Sequence, residues 1–331
     1  MDTKVLVTGG AGYIGSSLVA ALLKRGDRVT VLDDLWFGGE SLLPFVGFDT
    51  FRLIKRDMCN DGLPDIIRGI DCIVHLAAIV GFPACEKAGR ERVWRINVDG
   101  TKKIYQAAAK ADVKRMVLAS SYSNYGESKQ DEPVTEESSL NPKSIYAKSK
   151  IEAEHFLLNQ TNANDTAPIC LRLATVFGLS PRKRFDLIMN QFVLEAYLKG
   201  RLELYQENFR RSFVHVRDVV RAIICVIDSP LEQVRNQIFN VGSERLNSSK
   251  QELVEIIRTY LPQIKVKYRD ASFTGDMRSI HVSFQKIRKV LQYETQIDLK
   301  QGIEEILWAL RSGVISHPLS DKYRNHPAIL I

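Results

Sequence analysis

The sequence lacks several features that would decide its class at once. It contains no run of about 18 apolar residues, so no transmembrane helix is expected. Its N-terminus has neither the charged start nor the apolar stretch of a signal peptide, which makes the cytoplasm the expected location. The 331 residues include five cysteines, an odd number with no CxxC pair. This pattern argues against a disulfide framework and a cysteine-based zinc site, and no metal is expected.

A long basic stripe is also missing, although the formal net charge is +7. The basic residues form short groups, among them residues 182–184 and 210–211. Nucleic-acid binding would require a continuous basic surface or a recognisable module, so no nucleic-acid partner is expected. Scattered arginines near turns suit a small polyphosphate ligand better, because their planar donors match phosphate oxygens.

What the sequence does have is a regular alternation of strand and helix patterns in its first half. Short apolar runs predict strands at residues 4–8, 28–32, 51–55, 72–75, 115–120 and 169–173. Helical patterns lie between them at residues 12–24, 90–109 and 144–158. Near-continuous apolar strands separated by helices predict an α/β fold with a doubly wound parallel sheet covered on both faces.

The second half is less regular and predicts a smaller mixed α/β lobe that binds the substrate. Its helical patterns lie at residues 185–198, 216–227, 249–260 and 301–311. We place a dinucleotide-binding domain at residues 1–177 and the substrate-binding lobe at residues 178–331. A strand near residues 236–242 is expected to return to the main sheet.

A glycine-rich loop follows the first predicted strand and opens the first helix. It reads TGGAGYIG over residues 8–15. Gly9 permits a tight turn, Gly12 lets backbone N–H groups approach a pyrophosphate, and Gly15 lets the helix pack close to the strand. The positive end of the helix dipole adds attraction for phosphate. The spacing predicts the dinucleotide site of a Rossmann fold.

An acidic residue at the end of the second predicted strand indicates which dinucleotide binds. The Asp33 carboxylate can accept hydrogen bonds from the adenosine ribose hydroxyls and would repel a 2′-phosphate, which favours NAD over NADP. The alternative is an ordinary exposed turn at Asp33 and Asp34. Asp57 follows the third strand and is placed to meet the adenine edge, with Met58 beside it.

A tyrosine and a lysine one helical turn apart form the candidate catalytic pair. Tyr146 and Lys150 face the same side of their helix, where the lysine ammonium would lower the pKa of the tyrosine and make it a general base. Ser121 follows the fifth strand at the carboxyl edge of the sheet, where ligands bind in such folds. A Ser-rich polar turn is the plain alternative for this segment.

With these motifs in order, the chain resembles the extended short-chain dehydrogenase/reductases, the group that contains nucleotide-sugar epimerases and dehydratases. The resemblance covers nearly the whole chain. It rests on TGGAGYIG, HLAA at 75–78, NVDGT at 97–101, SSYSNYG at 120–126, YAKSK at 146–150, RLATVFG at 172–178, RSFVHVRD at 211–218 and GDMR at 275–278.

The resemblance implies a role for each matching position. The catalytic residues would be Ser121, Tyr146 as the proton-transferring base, and Lys150. The cofactor-binding residues would include Gly9, Gly12, Tyr13, Ile14, Gly15, Leu76, Ala77, Ala78, Asn97, Tyr146 and Lys150. The residues facing a nucleotide-diphosphate sugar would be Ser121, Tyr122, Ser123, Thr175, Asn190, Arg211 and Arg278. Each arginine has the alternative of being a solvated surface charge. A homodimer is also implied, paired through the helices at 90–109 and 144–158.

The two residues after Ser121 bear on the reaction. The family's 4,6-dehydratases carry an Asp-Glu pair there, and its UDP-glucuronate decarboxylases usually keep a Glu at the second position. This chain has Tyr122 and Ser123, which are poor acids and bases for those steps. Inversion at sugar C4 through a 4-keto sugar therefore fits best, although galactose-type 4-epimerases often have Asn where Thr175 stands.

Two other readings stay open. A C4 dehydrogenase or 4-ketoreductase needs the same residues as the 4-epimerase. A non-catalytic NAD-binding regulator is also possible, because a fold alone does not prove activity. The complete set of Ser121, Tyr146 and Lys150 speaks against the regulator.

Overall fold

The computed structural model describes residues 3–128, 132–160, 166–205, 207–269 and 279–325. In chain order the strands are β1 (Lys4–Thr8), β2 (Arg28–Asp33), β3 (Phe51–Lys55), β4 (Cys72–His75), β5 (Arg115–Ser121), β6 (Ala167–Leu173), β7 (Thr175–Phe177), β8 (Arg201–Tyr205), β9 (Arg210–His215), β10 (Gln237–Val241), β11 (Asn247–Ser249) and β12 (Lys265–Arg269).

The α-helices lie between and after these strands. They are α1 (Tyr13–Arg25), α2 (Leu63–Ile67), α3 (Phe82–Ala88), α4 (Arg90–Trp94), α5 (Gly100–Lys110), α6 (Ile145–Leu158), α7 (Ile188–Lys199), α8 (Val216–Asp228), α9 (Leu231–Val234), α10 (Lys250–Tyr260), α11 (Gln285–Leu291) and α12 (Leu299–Arg311). None of the helices in the described ranges has the length and apolar character needed to cross a bilayer.

The main sheet has seven parallel strands in the order β10-β6-β5-β4-β1-β2-β3. This is the doubly wound Rossmann arrangement that the sequence predicts, with the strand order reversing next to β1. Strand β10 lies at one edge and pairs with β6, so the late strand does return to this sheet. The division into two domains at residue 177 stays a prediction.

Alternate residues of the strands pack on opposite faces of the sheet. In β1, Val5 and Val7 join one apolar cluster with residues of α1 and α8, and Leu6 joins a second cluster with residues of α5 and α6. Successive strand side chains point to opposite faces, so a strand buried on both sides must be apolar throughout. This explains why the strands were visible in the sequence as continuous apolar runs.

The second half of the chain adds two small sheets and a third apolar cluster. One sheet has the order β11-β9-β7 and the other pairs β12 with β8. The third cluster packs α7, α10 and α12 together, with Met189, Leu253 and Ile303 fully buried. Of these elements, β7, α7 and β9 contribute residues to the cavity at the carboxyl edge of the main sheet.

The long helix predicted at 90–109 is interrupted in the structure. A π-helical turn at Arg95–Asp99 separates α4 from α5. At its centre the Asn97 side chain accepts a hydrogen bond from the Ile79 backbone at 2.8 Å and donates to the Ile79 carbonyl at 2.9 Å. Such bulges occur most often at functional sites. The periodicity of the sequence shows a helix here but not the extra residue in its turn.

Candidate active site

A cavity of about 710 Å³ lies at the carboxyl edge of the main sheet. It is lined by the glycine loop, by the residues that follow β2 to β6, and by side chains of the second half of the chain. Ligands of open α/β sheets bind at this edge, next to the point where the strand order reverses.

Two positions of the glycine loop leave no room for a side chain. Gly9 has a φ of +71°, and a Cβ there would be 2.7 Å from the backbone nitrogen of Ala77. A Cβ on Gly15 would be 2.2 Å from the carbonyl oxygen of Gly9. Gly12 precedes α1, whose first turn has no capping side chain and no acidic residue. The N–H groups of this helix end are therefore available to an anion.

Asp33 is the last residue of β2 and lines the cavity beside the glycine loop. Its carboxylate accepts hydrogen bonds from the backbone nitrogens of Leu35 at 2.8 Å and Ala11 at 3.0 Å. Burial raises the pKa of Asp33 above its ordinary value. The carboxylate is thus fixed beside the glycine loop, and its remaining lone pairs can accept from ribose hydroxyls.

The other acidic residues expected near the adenosine also line the cavity. Burial, with smaller contributions from the charges of Asp33 and Asp57, raises the pKa of Asp34 to about 6. Asp57 forms a salt bridge of 2.8 Å with Arg95 and lies next to Met58. These side chains meet at one end of the cavity, away from Tyr146.

The segment after β4 forms another wall. Leu76, Ala77 and Ala78 line the cavity, as do Tyr13 and Ile14 of α1.

Asn97 lies behind that wall and does not line the cavity. Its amide is fully engaged by Ile79 and by the Ser149 hydroxyl, to which it donates at 3.0 Å. Asn97 therefore positions the wall of the cavity, and its expected contact with the cofactor stays a prediction.

Ser121, Tyr146 and Lys150 converge on the cavity. Ser121 is the last residue of β5, and its side chain lies close enough to Tyr146 to influence the pKa of that phenol. Lys150 lies one turn after Tyr146 on α6, and its Nζ donates to the Ala119 carbonyl at 2.8 Å. Lys150 is only 3% exposed. The three side chains predicted from separate motifs are thus brought together.

Burial dominates the proton equilibria of this group. It raises the pKa of Tyr146 to about 12, against the opposing effect of the Ser121 side chain. Burial also lowers the pKa of Lys150 to about 8. Loss of water around the phenol is the largest influence on the pKa of Tyr146 in this structure. The lowering of that pKa by Lys150 stays a prediction.

Three polar side chains form a cluster beside Ser121. The Tyr122 hydroxyl is 2.7 Å from the Thr175 hydroxyl and accepts a hydrogen bond from Arg211 Nη1 at 3.2 Å. The Ser123 backbone nitrogen donates to Ser121 Oγ at 3.2 Å. Tyr122, Ser123, Thr175 and Arg211 all line the cavity.

One expected substrate-binding residue lies elsewhere, and another cannot be placed. Asn190 is 1% exposed and does not line the cavity. Its side chain accepts a hydrogen bond from the Gly178 backbone nitrogen at 3.0 Å. It donates to the backbone carbonyls of Gly178 at 3.0 Å and Arg184 at 2.9 Å. Asn190 therefore shapes the loop before α7, and its expected role toward the substrate diphosphate stays a prediction. Arg278 lies outside the described residues.

Other cavity residues were not predicted as site residues. They include Trp36, Phe37, Arg182, Arg184, Asp186, Gln191, Arg324 and Asn325. The basic residues at 182–184 were the one feature of the sequence that pointed to this part of the cavity. A basic run does not show which of its side chains face the cavity.

Comparison with known proteins identifies the family. A profile of the NAD dependent epimerase/dehydratase family matches residues 5–242.

The chain belongs to the NAD dependent epimerase/dehydratase family.

Relatives across this family carry out different reactions. The chain is 27% identical to a UDP-glucose 4-epimerase of Halalkalibacterium halodurans, over 92% of this chain and 94% of the relative. It is similar to the solved structure of MoeE5 in complex with UDP-glucuronic acid and NAD (29% identity, TM-score 0.81, covering 93% of this chain and 99% of MoeE5). It is also similar to DesIV, a dTDP-glucose 4,6-dehydratase from Streptomyces venezuelae (28% identity, TM-score 0.84, covering 96% and 99%).

The cavity fits the NAD on which this family depends. The glycines of the loop let its backbone pack closely against the backbone after β4, and the N-terminus of α1 has no capping side chain, so its N–H groups can bind a pyrophosphate. Asp33 is held by two backbone N–H groups at the place where a ribose would lie. This enzyme is therefore an NAD-dependent member of a family that acts on nucleotide sugars.

Proposed function

We propose that this enzyme is a nucleotide-sugar 4-epimerase that works through a 4-keto sugar. The observation that carries the proposal is the chemistry beside Ser121. Tyr122 and Ser123 stand there, and the Tyr122 hydroxyl is held by Thr175 and Arg211. Neither residue offers a carboxylate that could move the C5 proton or the C6 hydroxyl of a sugar.

Four carboxylates line the cavity among the described residues: Asp33, Asp34, Asp57 and Asp186. The first three belong to the segments after β2 and β3, where we expect the adenosine. Asp186 is bound by Arg184 Nη2 at 2.7 Å and Nε at 3.0 Å, and the Arg184 charge lowers its pKa. This distribution supports a reaction that needs only Ser121, Tyr146 and Lys150.

These three residues handle the proton of the sugar C4 hydroxyl. Ser121 holds the C4 oxygen by a hydrogen bond. Tyr146 acts as the phenolate, whose Oη accepts the C4 hydroxyl proton and later returns it. The Lys150 ammonium stabilises that phenolate while the proton is on the sugar, which offsets the burial that otherwise keeps the phenol protonated. NAD supplies the acceptor for the C4 hydride when it is bound. Because the hydride must return to the opposite face, the sugar has to turn over inside the cavity.

Arg211 is suited to the substrate diphosphate. It lies at the Tyr122 end of the cavity, and its planar guanidinium matches phosphate oxygens. Arg278 stays a second candidate for the same ligand. Homodimer formation and a cytoplasmic location also remain predictions.

The second candidate is one-way oxidation or ketoreduction at C4. It uses the same three residues, since the first half of the epimerase reaction is an oxidation. The two differ in their redox balance, because an epimerase returns its cofactor to the starting state and a dehydrogenase consumes NAD.

Product analysis distinguishes these reactions. The purified enzyme is incubated with UDP-, dTDP-, GDP- and CDP-hexoses and with UDP-glucuronic acid, and products are examined by mass spectrometry and NMR. We expect one substrate to give a product of equal mass with C4 inverted and no accumulation of NADH. Loss of water, loss of CO₂ or stoichiometric NADH would refute the proposal.

A further inference from the structure

Arg182 is a buried arginine that forms no salt bridge with any carboxylate of the described residues. It is 7% exposed and lines the cavity. Its Nη2 donates to the backbone carbonyl of Arg324 at 3.3 Å, and its Nε has no hydrogen-bond partner among the described residues. Two residues later, Arg184 forms a salt bridge of 2.7 Å with Asp186. Arg182 thus lacks the charge compensation that its neighbour has.

Two contacts place Arg182 beside the phosphate end of the cofactor site. Its backbone nitrogen donates to Ser16 Oγ at 3.3 Å, so the chain passes over the first turns of α1. Its guanidinium stacks on Phe37, 4.4 Å from the ring centroid, and Phe37 lies in the loop after β2. Helix α1 and this loop flank the glycine loop. The guanidinium therefore faces the region where the helix end attracts phosphate.

The segment that carries Arg182 is fixed to the first turn of α1. The Tyr13 hydroxyl donates to the Gly178 carbonyl at 2.7 Å, and the Ser180 hydroxyl donates to the Tyr13 carbonyl at 2.5 Å. Ser180 is also 3.0 Å from the Ser16 hydroxyl. These bonds hold the backbone of Arg182 at a set distance from the glycine loop, so the guanidinium is positioned before any ligand arrives.

A buried and unpaired charge is costly to keep in a folded protein. Burial, together with the positive charge of Arg184, lowers the pKa of Arg182 to about 10, so the group is still charged at neutral pH. A ligand that carries negative charge into this part of the cavity would offset the cost.

We propose that Arg182 binds the pyrophosphate of NAD from the side opposite the N-terminus of α1. The cofactor phosphates would then be held between the glycine loop and the loop before α7, and NAD would tie the Rossmann sheet to the second half of the chain. The proposal depends on the NAD dependence of the family and not on which sugar reaction follows.

Binding measurements on nucleotide-free protein test the proposal without using activity. Calorimetric titrations compare Arg182→Gln with the wild type for NAD⁺, ADP-ribose, adenosine and UDP. We expect Arg182→Gln to weaken NAD⁺ and ADP-ribose by roughly tenfold or more, as for loss of a charge-assisted hydrogen bond. Adenosine and UDP should change by less than about twofold, because they do not carry this pyrophosphate.

Lys183→Gln is the matched control, since Lys183 belongs to the same basic run but does not line the cavity. It should leave all four affinities within about twofold. Arg182→Lys keeps the charge without the planar fork and should give an intermediate loss for ADP-ribose, which preserves the test if the glutamine variant does not fold.

Three results would overturn the proposal. Unchanged affinity of Arg182→Gln for NAD⁺ and ADP-ribose would exclude the contact. A loss for UDP with NAD⁺ unaffected would assign Arg182 to the substrate diphosphate instead. An equal loss for adenosine would show that the substitution disturbs the pocket through Phe37 rather than through the phosphates.

Discussion

Lys150 is held in the cavity at a cost to folding. It is 3% exposed, and burial lowers its pKa to about 8. At neutral pH its ammonium remains charged in both the folded and the unfolded chain, so the folded state carries the desolvation of that charge. A residue kept under these conditions serves the chemistry of the site more than the stability of the fold.

Replacing Lys150 by Met should therefore stabilise the protein at pH 7. The pKa shift corresponds to about 3 kcal/mol, as an order of magnitude. Between pH 8 and about 10.4 the unfolded chain binds more protons at Lys150 than the folded chain, so wild-type stability rises with pH relative to Lys150→Met and the gap closes. Urea unfolding of both proteins from pH 7 to pH 10 measures this. A gap that stays constant over this range would contradict the account.

Tyr146→Phe removes the proposed base without emptying the site. We expect the turnover number to fall by about 10²- to 10⁴-fold, the usual contribution of a positioned general base. NAD⁺ affinity should change little, because the ring and its burial are kept. Steady-state kinetics and cofactor titration measure the two effects.

Tyr197→Phe serves as the control for that variant, since Tyr197 does not line the cavity. It should keep wild-type turnover. Turnover of Tyr146→Phe within tenfold of the wild type would remove Tyr146 from the proposed role.

Sequence reasoning found residues whose type is set by local geometry or by chemistry. Gly9 and Gly15 are examples, because a Cβ at either position would collide with backbone atoms. The effect of burial is not visible in the sequence, as with the raised pKa of Tyr146. Nor does the sequence show that the Asn190 amide is hydrogen-bonded to the loop backbone. The hydrogen-bond partners of a buried side chain depend on how the whole chain packs. They cannot be predicted from the residues next to it in the sequence.

A buried ion pair joins the catalytic helix α6 to the main sheet. Glu154 on α6 is 0% exposed and binds Arg172 of β6 at 2.7 Å. Its carboxylate also accepts hydrogen bonds from Ser120 of β5 and from the Asn124 amide at 3.0 Å. Ser120 precedes Ser121, and Glu154 lies one turn after Lys150. The pair therefore fixes the helix against the strand that carries the serine.

Glu154→Gln should destabilise the protein by about 3–5 kcal/mol, because it leaves the buried Arg172 charge without its partner. Glu152→Gln, an exposed position on the same helix, should stay within about 0.5 kcal/mol of the wild type. Urea unfolding at pH 7 compares the three proteins. Equal stability of the two variants would show that the pair is not needed to hold α6.

At the level of elements, the strands of the main sheet were predicted closely because burial on both faces leaves an uninterrupted apolar run. Strands β1, β3 and β4 have the predicted bounds. The π turn at Arg95–Asp99 was missed, since it arises from hydrogen bonds between Asn97 and Ile79, which are distant in the sequence pattern.

At the scale of the molecule, the cavity is built jointly by the two halves of the chain. Residues 9–15 supply the phosphate loop, while Arg182 and Arg211 approach from the second half. The carboxyl edge of the sheet could be located from the strand order alone. The cavity residues of the second half could not be located in this way, because the loops that carry them follow no periodic pattern.

Homodimer formation is expected through the surfaces of α4, α5 and α6. Light scattering coupled to size-exclusion chromatography should give twice the chain mass of 37.5 kDa. A single species at the chain mass, at the concentration used for activity, would contradict this prediction.

The fate of the C4 hydrogen tests the proposed reaction most directly. A UDP-sugar that the enzyme accepts is prepared with deuterium at C4, and the product is examined by NMR and mass spectrometry. A 4-epimerase returns that hydrogen, so we predict that the inverted product keeps deuterium at C4 and that none appears in free NADH. Deuterium found at C6 would instead indicate a 4,6-dehydratase, and deuterium released on the cofactor would indicate a dehydrogenase. Either result would contradict the account.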